Sequence, residues 1–179
     1  MSRWIRVLLL AVHSFWRPTL RPDEESVLTM RTWPTDADIS VVNNAVYLTF
    51  FEMGRIDLQL RSGLAKLAFK RGWAAPMSSI IVQFRKPLKR FQKFRLTARL
   101  AYWDDKWLYV EHRIERNSET IASALSKSVI IGKEGRITPS EAMSALGYSV
   151  ASPPMPPIIE KFREEEELMR EQADGRRQL

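Results

Sequence analysis

Two carboxylates, Asp36 and Asp38, stand a few residues ahead of a tandem amide pair, Asn43-Asn44, and a long apolar segment follows. A carboxylate can activate water as a general base or attack an acyl carbon as a nucleophile. Unpaired N–H groups at the start of a helix can hold a developing oxyanion. Those are two of the parts a hydrolase needs. Asn43 and Asn44 can orient water or an acyl carbonyl, although capping the helix is the plainer task for at least one of them. Asp38 lies between Ala37 and Ile39, so partial burial is expected, and burial suits a carboxylate to act as a base. The plain alternative is that Asp36 or Asp38 only closes a turn.

Other chemistries are poorly supplied. There is no cysteine, which removes disulfides, thiolate nucleophiles and cysteine-ligated zinc. The chain has 2 histidines, so a Ser-His-Asp triad would have to use His13 or His112. No metal is expected. The net charge of +7 favours an anionic partner: a nucleotide-bearing substrate, an acidic membrane surface or nucleic acid. The densest basic cluster is Arg85, Lys86, Lys89, Arg90 and Lys93, interleaved with Phe84, Phe91 and Phe94. It reads either as an anion site or as a solvated hairpin turn with its phenylalanines in the core.

The elements that must position these residues follow from periodicity. With 179 residues, 45% of them hydrophobic, the chain is most simply one domain with a sizeable core. Residues 27–33 alternate as a strand does. Asn43 or Asn44 caps a helix over 45–62, with Leu48, Phe51, Arg55 and Leu58 on one side and Tyr47, Phe50 and Gly54 on the adjoining one. Gly63 ends it, and 64–71 form a second short helix. Glu52 and Arg55 are spaced for a local ion pair. Strands are predicted over 77–84, 94–103, 107–115 and 120–131, with turns at Asp104-Asp105 and Asn117-Ser118. The order is strand, helix, then consecutive antiparallel strands, an α+β layer arrangement.

The two ends differ from this middle. Residues 4–16 form an apolar run too short to span a bilayer. It resembles a signal peptide without a convincing cleavage site, and reads equally as an interfacial amphipathic helix or as a helix packed on the protein or a partner copy. Residues 140–146 form a short helix, 152–157 a proline-rich connector, and 158–171 a charged helix read as a solvated tail, with a docking arm as the alternative. The expected division is 1–26 (N-terminal segment and linker), 27–137 (main domain) and 138–179 (C-terminal segment).

Over about 27–131 these residues resemble the hotdog-fold thioesterases of the 4-hydroxybenzoyl-CoA thioesterase type, close to small bacterial acyl-CoA thioesterase-like proteins and their eukaryotic superfamily relatives. The likeness rests on Asp36-Ala-Asp38, Asn43-Asn44-Ala-Val-Tyr47-Leu48 and the helical Glu52-x-x-Arg55. It extends to Arg61-Ser-Gly-Leu64, Phe84-Arg-Lys-Pro-Leu-Lys-Arg-Phe-Gln92 and Tyr102-Trp-Asp-Asp-Lys-Trp107. The resemblance implies a long helix wrapped by an antiparallel sheet, a homodimer or homotetramer, and active sites at a dimer interface. It implies acyl-CoA or acyl-carrier-protein thioesters as substrates, no metal, no cofactor beyond the coenzyme A of the substrate, and no nucleic acid.

An acid before the long helix then serves as base or nucleophile. Asp38 matches that position and Asp36 is the substitute, with Asn43 and Asn44 beside them. Tyr47 packs in the core or lines an acyl pocket, and Arg85, Lys86, Lys89 and Arg90 meet the phosphates of coenzyme A or an acidic carrier protein. The family pattern Asp-x-Asp-x-x-x-His-x-Asn-Asn is departed from here. The loop is one residue shorter and the histidine is absent, with a valine in its place. The expected function is hydrolysis of an acyl thioester, fatty if the apolar residues line a tunnel. The alternative is a non-catalytic protein that binds acyl thioesters or lipids. A cytoplasmic location is expected, with peripheral membrane contact through residues 1–20 as a further expectation.

Overall fold

The computed structural model describes residues 3–14 and 16–175. Residues 1, 2, 15 and 176–179 and the side chains of Arg3 and Trp4 lie outside the described residues, so the segment expected to touch a membrane is described only in part. Helix α1 (Arg3–Ser14) leads to strand β1 (Ser26–Arg31), a 3-10 turn (Pro34–Asp36) and helices α2 (Asn44–Arg61) and α3 (Leu64–Arg71). Strands β2 (Met77–Phe84), β3 (Lys93–Trp103), β4 (Leu108–Arg116) and β5 (Glu119–Ser128) follow. The chain ends with β6 (Ile130–Gly132), β7 (Gly135–Ile137), α4 (Pro139–Ala145) and α5 (Pro157–Gly175).

Five strands form one antiparallel sheet in the order β1-β3-β4-β5-β2, and α2 lies across its inner face. This is the hotdog fold. Asn43 keeps an extended backbone, and its Oδ1 accepts a hydrogen bond from the Ala45 N–H at 2.8 Å, so α2 opens on the expected cap. Gly63 follows the helix at φ 83°, a left-handed conformation that costs glycine little, and turns the chain into α3. The β4–β5 hairpin reverses through Asn117 and Ser118 at φ 51° and 62°.

Burial explains why α2 takes this place. Tyr47, Phe50, Phe51, Met53 and Leu58 leave solvent, most of them against Phe94, Leu96, Ile114 and Ile121 of the sheet. Each such side chain contributes about 1.5–3 kcal/mol. Gly54 lets the helix approach, because a Cβ there would stand 3.1 Å from the Ala98 Cβ on β3. Below the helix, Asp57 is fully buried and is held by Arg17 (2.9 Å to each oxygen), Arg61 (3.4 Å) and the Ser26 hydroxyl (2.6 Å). That cluster ties the segment after α1, the start of β1 and the end of α2 together.

Two expectations are corrected. The last long strand does not run to 131. It stops at Ser128, and Ile130–Gly132 pairs instead with Gly135–Ile137 in a separate hairpin. The C-terminal helix is not a solvated tail. Ile159 and Phe162, one turn apart, pack on Tyr109 and Leu125 on the outer face of the sheet. Arg163 Nε donates to the Tyr109 hydroxyl at 2.9 Å, and Glu166 pairs with Lys127. Two apolar residues in a strongly acidic helix make a weak periodic signal, but the outward aromatics of β4 need a cover.

Candidate active site

The loop between β1 and α2 separates the two acids into different environments. Pro34 starts the 3-10 turn that ends at Asp36, and the Asp36 carboxylate accepts from the Trp33 N–H at 2.7 Å. Arg6, on the face of α1 that packs on α2, reaches the same carboxylate at 2.5 and 2.6 Å. Both groups are buried, and Arg6 also lies 5.3 Å from the Phe50 ring centre. The Asp36 side chain is thus engaged on both oxygens and joins α1 to the loop.

Asp38 sits at the tip. A bridge between Ala37 and Val42 and the Asp38 N–H to Val41 carbonyl bond (3.2 Å) close the loop behind it. The expected partial burial of Asp38 is not observed. Asp38 is exposed and Ile39 is 89% exposed, because so tight a closure turns residues 38–41 outward. Asn43 Nδ2 donates to the Asp38 carboxylate at 2.9 Å while its Oδ1 caps α2. Asn43 therefore holds the acid at the helix N-terminus, and Asn44, the first residue of α2, is exposed beside it. The positive end of the helix dipole favours a carboxylate or an oxyanion there.

The basic connector between β2 and β3 is fastened to this loop. The Val42 N–H donates to the Leu88 carbonyl at 2.8 Å, Val41 and Lys89 form a bridge, and Arg90 Nη2 donates to the Asp38 carbonyl at 3.0 Å. Tyr47 accepts from the Leu88 N–H at 2.9 Å, and burial raises its pKa. Tyr47 thus anchors the connector from the core. Lys86 pairs with Glu119 at 2.6 Å; Arg85 and Lys89 are exposed. Of the three interleaved phenylalanines only Phe94 is in the core, whereas Phe84 and Phe91 are exposed. Asp38, Asn43, Asn44 and the Leu88–Arg90 segment are therefore neighbours, although Arg90 stands 52 positions after Asp38 in the sequence.

A cavity of about 240 Å³ opens between α2 and strands β2, β4 and β5, lined by Thr49, Phe51, Glu52, Arg55, His112 and Ser126 among others. Neither Asp38 nor Asn43 lines it. Sequence reasoning named His112, Glu52 and Arg55 but did not bring this group together, and it missed Ser126. His112 Nε2 and Ser126 Oγ stand 2.9 Å apart, the spacing of a base and a nucleophile. The pair lacks the rest of a triad. His112 Nδ1 has no partner among the described residues, and burial first, then the Arg55 charge, push the His112 pKa down to about 3. Such an imidazole is a weak base. Arg55 itself donates to the Ala75 carbonyl at 3.1 Å, and burial lowers its pKa. Among the described residues no group of three or more His, Asp or Glu side chains is arranged to hold a metal ion.

The sequence profile of the thioesterase-like superfamily matches residues 32–164, which takes in the acid loop, α2, the whole sheet apart from β1, and the start of α5. The chain belongs to this superfamily. It is 34% identical over 74 residues to the probable thioesterase YBR096W of Saccharomyces cerevisiae, covering 40% of this chain and 32% of that protein. It is 31% identical over 102 residues to protein THEM6 of Xenopus laevis, covering 55% of this chain and 49% of that protein. The matches thus span no more than about half the length of these curated relatives. The crystal structure of a hypothetical protein, TT1821, of Thermus thermophilus has a TM-score of 0.62 at 26% identity, covering 69% of this chain and 96% of that one. No helix among the described residues is long and apolar enough to cross a membrane.

Proposed function

We propose that this superfamily member hydrolyses an acyl thioester of coenzyme A or of a carrier protein, with Asp38 as the working carboxylate. The observation that carries the reading is the junction of the acid loop and the basic connector, where Arg90 binds the Asp38 carbonyl and Asn43 binds its carboxylate. Asp38 takes a proton from water as the water oxygen adds to the thioester carbonyl. The N-terminus of α2, with Asn44, meets the oxyanion. Collapse of the tetrahedral intermediate breaks the carbon–sulfur bond and releases a thiol and a carboxylic acid. Arg85 and Lys89 meet phosphate oxygens of coenzyme A or acidic groups of a carrier protein. Asp36 serves in the buried ion pair and not in the chemistry.

The working unit in this reading is a homodimer. Strand β2 is an edge of the sheet, and its open side suits pairing with a second copy. Within one chain the cavity and Asp38 are not part of one lining, which supports a site completed by two chains. The cover that α5 forms over the outer face favours a dimer over a face-to-face tetramer. A panel of acyl-CoAs assayed with a thiol reagent tests the activity. The expected result is turnover that Asp38→Asn lowers by about 10²-fold or more while Asp36→Asn mainly lowers stability. Full activity in Asp38→Asn would refute the assignment.

A second reading, binding without turnover, is favoured by the exposure of Asp38 in a loop shorter than the family pattern. Measurable acyl-CoA binding with no thiol release would establish it. Peripheral membrane contact is a separate proposal carried by α1. Arg6, Val7 and Leu10 face the protein, while Ile5, Leu8, Leu9 and Val12, with Trp16 just beyond the helix, form an exposed apolar stripe at helical spacing. Sedimentation with anionic vesicles should be abolished by Leu8→Glu/Leu9→Glu. Equal pelleting of both forms would refute it.

A further inference from the structure

The edge of the sheet opposite β2 is β1, and only half of its backbone groups are used. It runs antiparallel to β3 from Ser26 opposite Ala98 to Arg31 opposite Lys93 without a shift in register. Just beyond the strand the Thr32 N–H donates to the Gln92 carbonyl at 3.0 Å. By alternation Met30, Leu28 and Ser26 then form the bonded pairs, and the N–H and C=O groups of Arg31, Thr29 and Val27 point away from β3. The Val27 carbonyl fits this direction, because Arg17 Nη2 donates to it at 2.6 Å from the far side. The backbone groups of Thr29 and Arg31 on that side meet no partner among the described residues. Such a row, with outward groups about 6.8 Å apart, is a template for another backbone.

The edge opens into a groove of about 620 Å³ between β1 and α1, which packs on α2. Leu28 and Met30 turn their side chains toward α2, so alternate side chains of a strand laid beside β1 would turn the same way, toward Leu9, Leu10 and Met53. The others would lie outward, beside Thr29 and Arg31. Charge selects what those outward residues are. No acid lines the groove among the described residues. Arg31 is exposed and spends one nitrogen on the Phe91 carbonyl (2.8 Å), and Lys93, opposite it in the register, is exposed on the same face. A lipid tail would leave the Thr29 and Arg31 backbone groups unmatched. A second copy paired edge to edge would bring its own α1 over the same seam, whereas a single strand needs only about 4.8 Å beside β1. We propose that this groove docks an extended segment of a partner protein, which adds to β1 as a sixth strand with apolar side chains under α1 and acidic ones beside Arg31 and Lys93. Such docking is independent of the thioesterase reading.

The probes are acetylated nonapeptides: valine alternating with glutamate, valine alternating with lysine, and the Val–Glu peptide N-methylated at every residue. With the full chain, fluorescence anisotropy should show the Val–Glu peptide binding at least about fivefold more tightly than the Val–Lys peptide, and the methylated one not binding. Amide exchange followed by NMR should slow at Thr29 and Arg31 when the Val–Glu peptide is added, while Leu28 and Met30, already paired with β3, change little. Thr29→Pro removes an outward N–H and leaves the β3 ladder alone, so it should abolish binding. Arg31→Glu, which leaves the backbone as it is, should erase the preference for the Val–Glu peptide. The inference is overturned if the Val–Glu peptide does not bind at about 1 mM, if the methylated peptide binds equally well, or if the Thr29 and Arg31 amides are already protected in the free protein. Protection of those amides by phosphatidylglycerol vesicles but not by the peptide would assign the groove to lipid and overturn it as well. Thiol release from acyl-CoAs reports on the thioesterase reading separately, so the two can fail independently.

Discussion

Lowering the pH should destabilise the fold through His112 alone by an amount that can be worked out. The ring titrates near 6.5 in an unfolded chain, while burial and the Arg55 charge hold it down to about 3 in the native state. A depressed native pKa means that the unfolded chain binds the proton first. The stability associated with a neutral His112 is complete above about pH 6.5, declines as the pH falls, and is lost by the time the native pKa is reached. Each unit of the interval is worth about 1.4 kcal/mol, so moving from about pH 7 to about pH 5 should remove roughly 2 kcal/mol.

Acid acts on other groups of the chain as well. The informative quantity is therefore the difference between the protein and its His112→Phe variant. Phe is apolar, is larger than His by somewhat more than a methylene and removes the unpaired nitrogen, so it should shift stability by at most about 1–3 kcal/mol, equally at every pH. Urea unfolding followed by tryptophan fluorescence, repeated at several pH values, should give curves that keep that offset above about pH 6.5 and move by about 2 kcal/mol more relative to one another near pH 5. Parallel curves across that range would mean that His112 accepts a proton as readily in the fold as out of it, and the account of its burial would fail.

Removing one side of a buried ion pair leaves an uncompensated charge, so Arg6→Ala should lower unfolding stability by about 3–5 kcal/mol in denaturant titration, more than any exposed arginine such as Arg99. Gly54→Leu should cost at least about 1–3 kcal/mol in thermal unfolding, because even a Cβ there is only 3.1 Å from Ala98. A chain ending at residue 156 should bind more of a hydrophobic dye and melt lower, since Tyr109 and Leu125 lose the cover of Ile159 and Phe162.

Much of the frame was legible because it is written within short windows of sequence. The Asn43 cap, the apolar spacing of α2, Gly63 and the alternation of β3 and β4 each depend on residues a few positions apart, and all stand where periodicity predicts them. Alternation along β4 puts His112 on the face shared with Val110 and Ile114. It could not assign a partner, because the approach of Ser126 depends on the β4–β5 register, in which Val110 faces Ser126 and His112 faces Ala124.

The same limit governed the acids. Asp36 and Asp38 share one motif and one local environment in the sequence. Arg6, 30 positions away from Asp36, distinguishes them by occupying one and leaving the other at the surface. The tail was misjudged for a related reason: its acidic composition suits water, and only the outward aromatics of β4 make docking favourable. Local propensity and hydrophobic period determined the elements by themselves. The ion pairs, the cavity and the pairing of acid loop with basic loop were decided in three dimensions, because their free energies depend on burial, and burial is a property of the packed chain.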